Sequence, residues 1–411
     1  MQSNDFDVVI VGAGPSGCTT ALSLAESGLK VALVDKAVLP GEKICGDALS
    51  GTVLKVLKRL PGNCFDEFLK LEPKTPSWGI RFIAPDGECL DVPFLLEKKP
   101  ENMPPGYLCK RKLFDGFLQQ KVRELTTYNV TGDFQVKQIL REKELFIIKG
   151  DKEDLRCRMI VGADGTPSTV GRALAGHSLN HKQYCLGART YFTGVAGFHP
   201  EKFIELYFLE ELLPGYLWIF PMNDDITNVG LGIPSEKMKS VPGSLSAMLQ
   251  QIIHTHPSFS SRFANAVMTG KIDTHGLPLG PDPKAISGDG FLLTGDAASL
   301  VDSFSGEGIG NAMVSGEVAA ATIREAFSKN DFSSGFLNQY DKMINKKLGR
   351  ELKTSQRIHE LCTHPGLFNL VVKKANRNKE LREMFTGMYI SQDLRDQLKN
   401  PLFYFKILNP F

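Results

Sequence analysis

A chain of 411 residues, 42% hydrophobic and 23% charged, has the make-up of a globular protein large enough for more than one domain. Its formal net charge of +2 lacks the basic bias of a dedicated nucleic-acid binder. No run approaches the roughly 18 consecutive apolar residues of a membrane-spanning helix.

The first element is read from "DVVIVGAGPSGCTTALSLAESGLKVALVDK", which gives strand, tight turn, helix and strand. A strand pattern this close to the first residue leaves no room for a signal peptide. Val8 to Val11 form the continuous apolar run of a central parallel strand. Gly12, Gly14 and Gly17 then stand in G-x-G-x-x-G, for the turn, the approach of a pyrophosphate and close helix packing respectively. The spacing starts the helix near Pro15 and ends it at Gly28. Its N-terminus faces the phosphates. Asp35 closes the second strand, placed to accept from a ribose, with Ala13 and Lys36 beside the same cradle.

Next comes "EKICGDALSG", with Cys45-Gly46 where a plain surface loop would serve. The other cysteines stand at 18, 64, 89, 109, 157, 185 and 362, with no CxxC pair. Zinc-ribbon and thioredoxin-type readings fail on that spacing, no metal site is expected, and reduced thiols in a cytoplasmic protein are the expectation. "FIAPDGECLDVPF" reads as a hairpin turning at Asp86-Gly87. "KRKLFDGFL" opens a helix at Arg111. "MIVGADGTPSTVGR" brings a strand and then Asp164, Gly165 and Ser168. "EKFIELYFL" partly alternates, as a half-buried strand does. The aromatic residues Phe192, Phe203, Tyr207 and Phe208 read singly as core packing. His254 and His256 in "HTHPSF" have no third ligand at metal spacing. Finally "GFLLTGDAASLVDSFSGEGIGNAMVSGEVAAATI" ends a strand in Gly295-Asp296 and opens a helix at Gly306, Gly308 and Ile309.

Taken together, "GAGPSG", "GADGTPSTVGR" and "GDAASLVDSFSGEGIGNAMVSG" resemble the FAD-dependent para-hydroxybenzoate hydroxylase superfamily. The resemblance implies FAD on Gly12, Ala13, Gly14, Gly17, Asp35, Lys36, Cys45, Gly46, Arg111, Asp164, Gly295, Asp296, Gly306, Gly308 and Ile309. Arg111 is implied as a pyrophosphate ligand through R-x-x-F-D. A second G-x-G-x-x-G, which a disulfide-reductase type of flavoenzyme needs, is missing.

Within that superfamily, K-x-C-G at Lys43 to Gly46 resembles the geranylgeranyl reductase family. So does Y-x-W-x-F-P at Tyr216, Trp218, Phe220 and Pro221 in "LLPGYLWIFPMNDDITNVGLGI". Flavin halogenases carry the related W-x-W-x-I-P. The resemblance implies that Tyr216, Trp218, Phe220 and Cys45 line an apolar substrate site above the flavin. Cys45 has three readings: an inert thiol, an active-site group that contacts substrate or assists protonation, and a redox sensor. Asp47 departs from the small residue or glutamate the family pattern leads one to expect, and a carboxyl in an apolar site can become a proton donor.

The expected fold is α/β. A discontinuous Rossmann-type FAD domain comprises 1–75, 105–180 and 271–335. An inserted, mostly antiparallel substrate domain comprises 76–104 and 181–270, and a helical region follows over 336–411. That last region is basic at Lys346, Lys347, Arg350, Lys353, Arg357, Lys373, Lys374, Arg377 and Lys379. It ends "NPLFYFKILNPF", which suits either a membrane surface or packing on the body. The expected activity is hydride transfer from reduced FAD to a carbon–carbon double bond of an isoprenoid or similar apolar lipid. An external donor, NADPH or reduced ferredoxin, would recharge the flavin. Two alternatives stand beside it: a monooxygenase or halogenase acting on an aromatic or polyketide-like substrate through a flavin hydroperoxide, and a non-catalytic flavin-fold protein.

Overall fold

The computed structural model describes residues 5–378 apart from 96, 224 and 240, together with Arg382. Two sheets carry the architecture. The spine of the first, eight-stranded sheet runs Ser287–Gly288, Phe291–Leu293, Asp154–Gly162, Asp5–Val11, Val31–Val34, Asn129–Thr131. From Phe291–Leu293 onward the neighbours are parallel. Asp5–Val11 lies between two partners with Val8, Val9 and Ile10 fully buried, so an unbroken apolar run is what this position requires. Helix Pro15–Ser23 crosses the long helix Ile309–Lys329 almost backbone to backbone. A Cβ on Gly316 would lie 2.5 Å from the Ser16 carbonyl.

The second sheet, also of eight strands, is ordered Val267–Met268, Tyr184–Thr193, Thr227–Pro234, Tyr216–Pro221, Ile204–Tyr207, Gly79–Ile83, Cys89–Pro93. Its pairs are antiparallel except Ile204–Tyr207 with Gly79–Ile83. The two-residue period of a strand separates its faces. Leu217, Ile219, Val229 and Leu231 pack toward helix Leu245–Thr255. Leu206, Phe208, Trp218 and Phe220 share the opposite face with Phe304 and Phe368.

Three details differ from the expectations. Asp273–Pro278 pairs with Tyr184–Arg189, so the second sheet continues beyond the expected boundary at 270. The first helix ends at Ser23, where the Leu24 N–H still bonds the Thr20 and Ala21 carbonyls at 3.1 Å. Tight turns follow, and Gly28, with a φ of 72°, redirects the chain rather than capping the helix. In the hairpin, Gly87 N–H bonds the Ala84 carbonyl at 2.9 Å, making Pro85-Asp86 the turn centre and Gly87 the left-handed residue after it.

A three-stranded sheet of Ala48–Leu49, Gly106–Leu108 and Thr75–Ser77 lies between the two large ones and leads into helix Arg111–Leu125. Beyond the long helix come Ser334–Ile344, a π-helical turn at Asn345–Gly349, Arg350–Leu361 and Pro365–Arg377. Pro365–Arg377 lays Phe368, Val372 and Ala375 on the Trp218 face of the second sheet, with the Phe368 and Phe208 rings 4.5 Å apart. Lys379 and the tail "NPLFYFKILNPF" fall outside the described residues. No helix among the described residues is long and apolar enough to cross a membrane.

Candidate active site

The three glycines of the first loop are not equivalent. A Cβ on Gly12, whose φ is 109°, would lie 2.1 Å from the Ala163 carbonyl oxygen, and one on Gly17 would lie 1.9 Å from that of Gly12. Packing forbids any side chain at either. Around Gly14 there is nothing within 4 Å, so the protein's own packing gives no reason for glycine there. Open space at a helix N-terminus suits a phosphate. The helices starting at Pro15 and at Ile309 have neither a side-chain cap nor an acid in the first turn. Gln119 donates to the Ala13 carbonyl at 2.9 Å while its own buried Oε1 has no partner. That orphaned acceptor fits a ribose hydroxyl. Asp35 accepts from Ala13 N–H at 2.7 Å and Ala37 N–H at 2.8 Å, with lone pairs left over. Lys36 is exposed beside it. The residues present fit FAD.

The Cys45 loop is tied to the distant Gly295–Gly308 segment on two sides. Lys43 Nζ pairs with Asp296 at 2.6 Å, and the Ser50 hydroxyl donates to the Glu307 carboxylate. Gly165, of the second glycine block, approaches the same ammonium, which a Cβ there would meet at 3.8 Å. Burial, the largest single influence, would raise the Asp296 pKa, but the groups facing it, Lys43 foremost, together keep the carboxyl below its ordinary range. Burial and then Lys43 push His275 down, so its imidazole stays neutral. Asp302 shapes the glycine turn that follows. Its carboxylate accepts from Phe304 N–H at 3.1 Å and from Ser305 N–H and Oγ at 2.8 Å, which leaves Gly306 exposed at a φ of 69°.

Tyr216, Trp218 and Phe220 project from one face of Tyr216–Pro221 and support both loops. Tyr216 donates to the Ser305 carbonyl at 2.7 Å. Gly46 stands on the other two residues. A Cβ there would lie 2.9 Å from a Phe220 ring carbon and 3.6 Å from the Trp218 indole nitrogen. The indole itself lies across the next strand, which Gly230 permits because a Cβ there would come within 2.3 Å of it.

Beneath this contact lies a polar network. Trp218 Nε1 donates to Asn228 Oδ1 at 2.8 Å, and Asn228 Nδ2 donates to the Cys45 carbonyl at 2.9 Å and to Asp47 Oδ2 at 2.8 Å. Asp47 also accepts from the Tyr191 hydroxyl at 2.6 Å and the Arg111 N–H at 3.2 Å. Its side chain is wholly buried and its φ is 66°, in the left-handed region. The Tyr191 ring lies under the Arg189 guanidinium at 4.4 Å and the Lys110 ammonium at 4.9 Å.

Two implied FAD ligands have protein partners as well. Arg111 binds Asp115 through Nε at 2.8 Å and Nη2 at 2.6 Å and lies against Cys45. At the start of helix Thr169–Ala175, whose N-cap Ser168 accepts from the Gly171 N–H, Asp164 accepts from the Ser168 hydroxyl and the Thr169 N–H at 2.6 Å each. Burial raises the Cys45 pKa, with Arg111 only partly opposing it, so the sulfur carries its proton at neutral pH. His256 caps its own short helix, and no group of three His, Cys, Asp or Glu among the described residues is placed to hold a metal. Sequence reasoning missed Lys43's partner as well as Ser50, Tyr191, Arg189, Asn228, His275 and Glu307. The one visible signal was the pair of strand-interior glycines in "NVGLGI", which mark the close approach of something bulky.

The FAD dependent oxidoreductase family matches residues 7–46, over the glycine cradle. The geranylgeranyl reductase catalytic domain family matches residues 185–271, over the aromatic strand and its neighbours. Fold and site therefore define an FAD-dependent oxidoreductase with a Rossmann-type cofactor domain and an inserted, mostly antiparallel sheet. Digeranylgeranylglycerophospholipid reductase 2 of Methanopyrus kandleri is 30% identical over 85% of this chain and 84% of its own length. The chain belongs to the geranylgeranyl reductase family. A geranylgeranyl bacteriochlorophyll reductase-like protein from Thermoplasma acidophilum shares the fold at a TM-score of 0.80 and 23% identity, covering 98% of each chain. The flavin-dependent brominase Bmp2 shares it at a TM-score of 0.75 and 20% identity, covering 98% of this chain and 99% of its own.

Proposed function

We propose that this chain reduces carbon–carbon double bonds in an isoprenoid or similar apolar lipid chain. The observation that carries the reading is the seating of Cys45-Gly46 on Trp218 and Phe220, where the apolar face of the second sheet begins. That face continues through Phe208, Phe82 and Phe304, packed under Phe368 of the C-terminal helices, apolar aromatic walls of the kind a long uncharged chain requires. Kinship with a digeranylgeranylglycerophospholipid reductase supports the substrate class.

FAD is held in this reading by the open space at Gly14, the helix N-terminus at Pro15, Asp35, Arg111 and Asp296, with Gly306, Gly308 and Ile309 at the second helix N-terminus. Bound and reduced by an external donor, NADPH or reduced ferredoxin, it supplies a hydride from N5 to one alkene carbon. The neighbouring carbon takes a proton, for which the protonated Cys45 Sγ is the protein's candidate, water restoring it afterwards. Tyr216, Trp218 and Phe220 orient the chain and exclude water, which matters because an isolated alkene accepts hydride poorly. The C-terminal helices set exposed Leu361 and Leu370 among exposed Lys353, Arg357, Lys373 and Arg377, a surface suited to an anionic bilayer.

One experiment tests the reading. Anaerobic, photoreduced protein is mixed with a geranylgeranyl lipid in anionic or neutral vesicles, and flavin reoxidation and lipid mass are followed. The expected result is reoxidation with a gain of two hydrogens per flavin, faster on anionic vesicles. A flavin that stays reduced until air is admitted overturns the reductase reading, and equal rates on both vesicles overturn the membrane reading alone.

A further inference from the structure

The donor and acceptor inventory around Asn228 fixes a chain of orientations. An indole N–H only donates, so the amide oxygen of Asn228 must face Trp218. The Cys45 carbonyl only accepts, so the amide nitrogen must face Cys45, and its second hydrogen points to Asp47 Oδ2. Asp47 Oδ1 meanwhile receives a backbone N–H that can do nothing but donate. Both carboxyl oxygens are thus addressed by obligate donors, and the Tyr191 hydroxyl, which can donate or accept, lies 2.6 Å from Oδ2. Asn228 itself is wholly buried, and two of its three bonds join the antiparallel sheet to the Cys45 loop, the third holding Trp218 within the sheet.

We infer that Asn228 is the positioning residue of the site, and that Asp47 is an ionised anchor for it rather than a proton donor. Asn228 holds the indole that supports Gly46 and, through the same amide, the carbonyl of Cys45. A rotation of that amide would face N–H against N–H at Trp218 and oxygen against oxygen at Cys45, so the loop and the aromatic strand are held in one relative setting. The groups facing Asp47 are Cys45, Cys109, Arg111, Tyr191 and Arg189, with Asp115 behind Arg111. Burial raises the Asp47 pKa, and the Tyr191 hydroxyl, the Arg189 guanidinium, the Asn228 amide and the Arg111 backbone N–H oppose it only in part, while Tyr191 keeps its phenolic proton because burial and Asp47 both raise its pKa. The proton for the alkene then comes from another atom, with Cys45 Sγ next in line.

The inference rests on the reductase reading only for its turnover arm. Infrared difference spectra of wild type minus Asp47→Asn read the Asp47 charge with no substrate present. A carboxylate band lost without a protonated carboxyl band is expected, and loss of a protonated carboxyl band overturns the anchor role. For Asn228, Asn228→Leu keeps the volume but none of the bonds. It is expected to retain flavin and to lose turnover at least tenfold, with KM little changed. Asn228→Asp regains a donor only when protonated, so its turnover is expected to recover in part as pH falls from 8 to 6, while that of Asn228→Leu does not. Equal losses in the two variants at every pH, or wild-type turnover in Asn228→Leu, overturn the positioning role. Should either variant fail to hold flavin, the indole emission of Trp218 in a Trp78→Phe background replaces turnover: it is expected to shift in Asn228→Leu, and an unshifted band overturns the assignment.

Discussion

At Gly12, Gly14 and Gly17 the parallel sheet meets the site with bare backbone, whereas at Tyr216, Trp218 and Phe220 the antiparallel sheet meets it with some of its largest side chains. The first arrangement suits a polar cofactor whose phosphates are recognised by N–H groups. The second suits a substrate with no charge and no hydrogen-bonding group along its chain, which only area and shape can recognise. The difference teaches where each side tolerates change. The cradle fails when a single carbon is added, and the aromatic face fails when its supports move.

The largest effect comes from comparing two glycines two residues apart. Gly12→Ala forces a Cβ to 2.1 Å from a carbonyl oxygen at a φ of 109°, and is expected to cost roughly 4 kcal/mol or more. Gly14→Ala meets nothing within 4 Å, and its φ of −79° suits alanine, so stability is expected within about 1 kcal/mol of wild type. Its FAD affinity is expected to fall at least tenfold, because the added methyl takes the space left for phosphate. Urea unfolding of the apoproteins and flavin fluorescence titration separate the two effects. A Gly14→Ala protein that binds FAD as wild type does would move the phosphates elsewhere.

A second, smaller effect probes the aromatic side through its own glycines. Gly230→Ala sets a Cβ 2.3 Å from the Trp218 ring and 2.4 Å from the Ala188 carbonyl, so the indole must leave Asn228. Overpacking against the indole costs roughly 1–3 kcal/mol, and the backbone contact with Ala188 adds to it, so the total is expected near the upper end or above. The expected signature is weakened turnover with normal flavin content, the reverse of Gly14→Ala. Gly187→Ala, on the neighbouring strand, meets nothing closer than 3.6 Å and serves as the control, with stability within about 0.5 kcal/mol of wild type. Flavin loss in Gly230→Ala would show that the two sheets do not divide the work as described.

The same contrast governs what was legible. The cradle could be read because its constraints are local: Gly12, Gly14 and Gly17 lie within one turn, and the strand before and helix after confirm them. Tyr216, Trp218 and Phe220 share a face by simple alternation, but their task came from resemblance to a family and not from period. Asn228 and Asp47 lie 181 positions apart, Lys43 and Asp296 253, and Ser50 and Glu307 257. Pairs at such separations leave no periodicity for a sequence to display. Arg111 and Asp164 show the converse. Their motifs speak for a ligand, while Asp115, four residues on in the same R-x-x-F-D motif, and the helix at Thr169, five residues past Asp164, supply each with a protein partner inside the motif itself.

Cys45 lies where the two sheets meet, and its ionisation tests the junction most gently. Burial raises its pKa and Arg111 opposes this only in part. The exposed Cys89, whose thiol partial burial also pushes up, is the comparator within the same chain, differing from Cys45 in exposure. Since the thiolate is the nucleophile, a raised pKa slows alkylation at neutral pH and moves the midpoint of the rate–pH curve above the ordinary thiol value of about 8.5. The sign for stability follows. An acid whose pKa is higher folded than unfolded favours the folded state below the unfolded value, and that contribution is lost as pH rises through the folded one. Site-resolved mass spectrometry after brief iodoacetamide treatment is expected to find Cys45 labelled more slowly than Cys89 at pH 7.5, with the gap closing toward alkaline pH. Fast labelling of Cys45 at neutral pH would mean that Arg111 outweighs burial. The sulfur would then be a thiolate with no proton to give, and in the proposed reaction water would have to supply the proton instead.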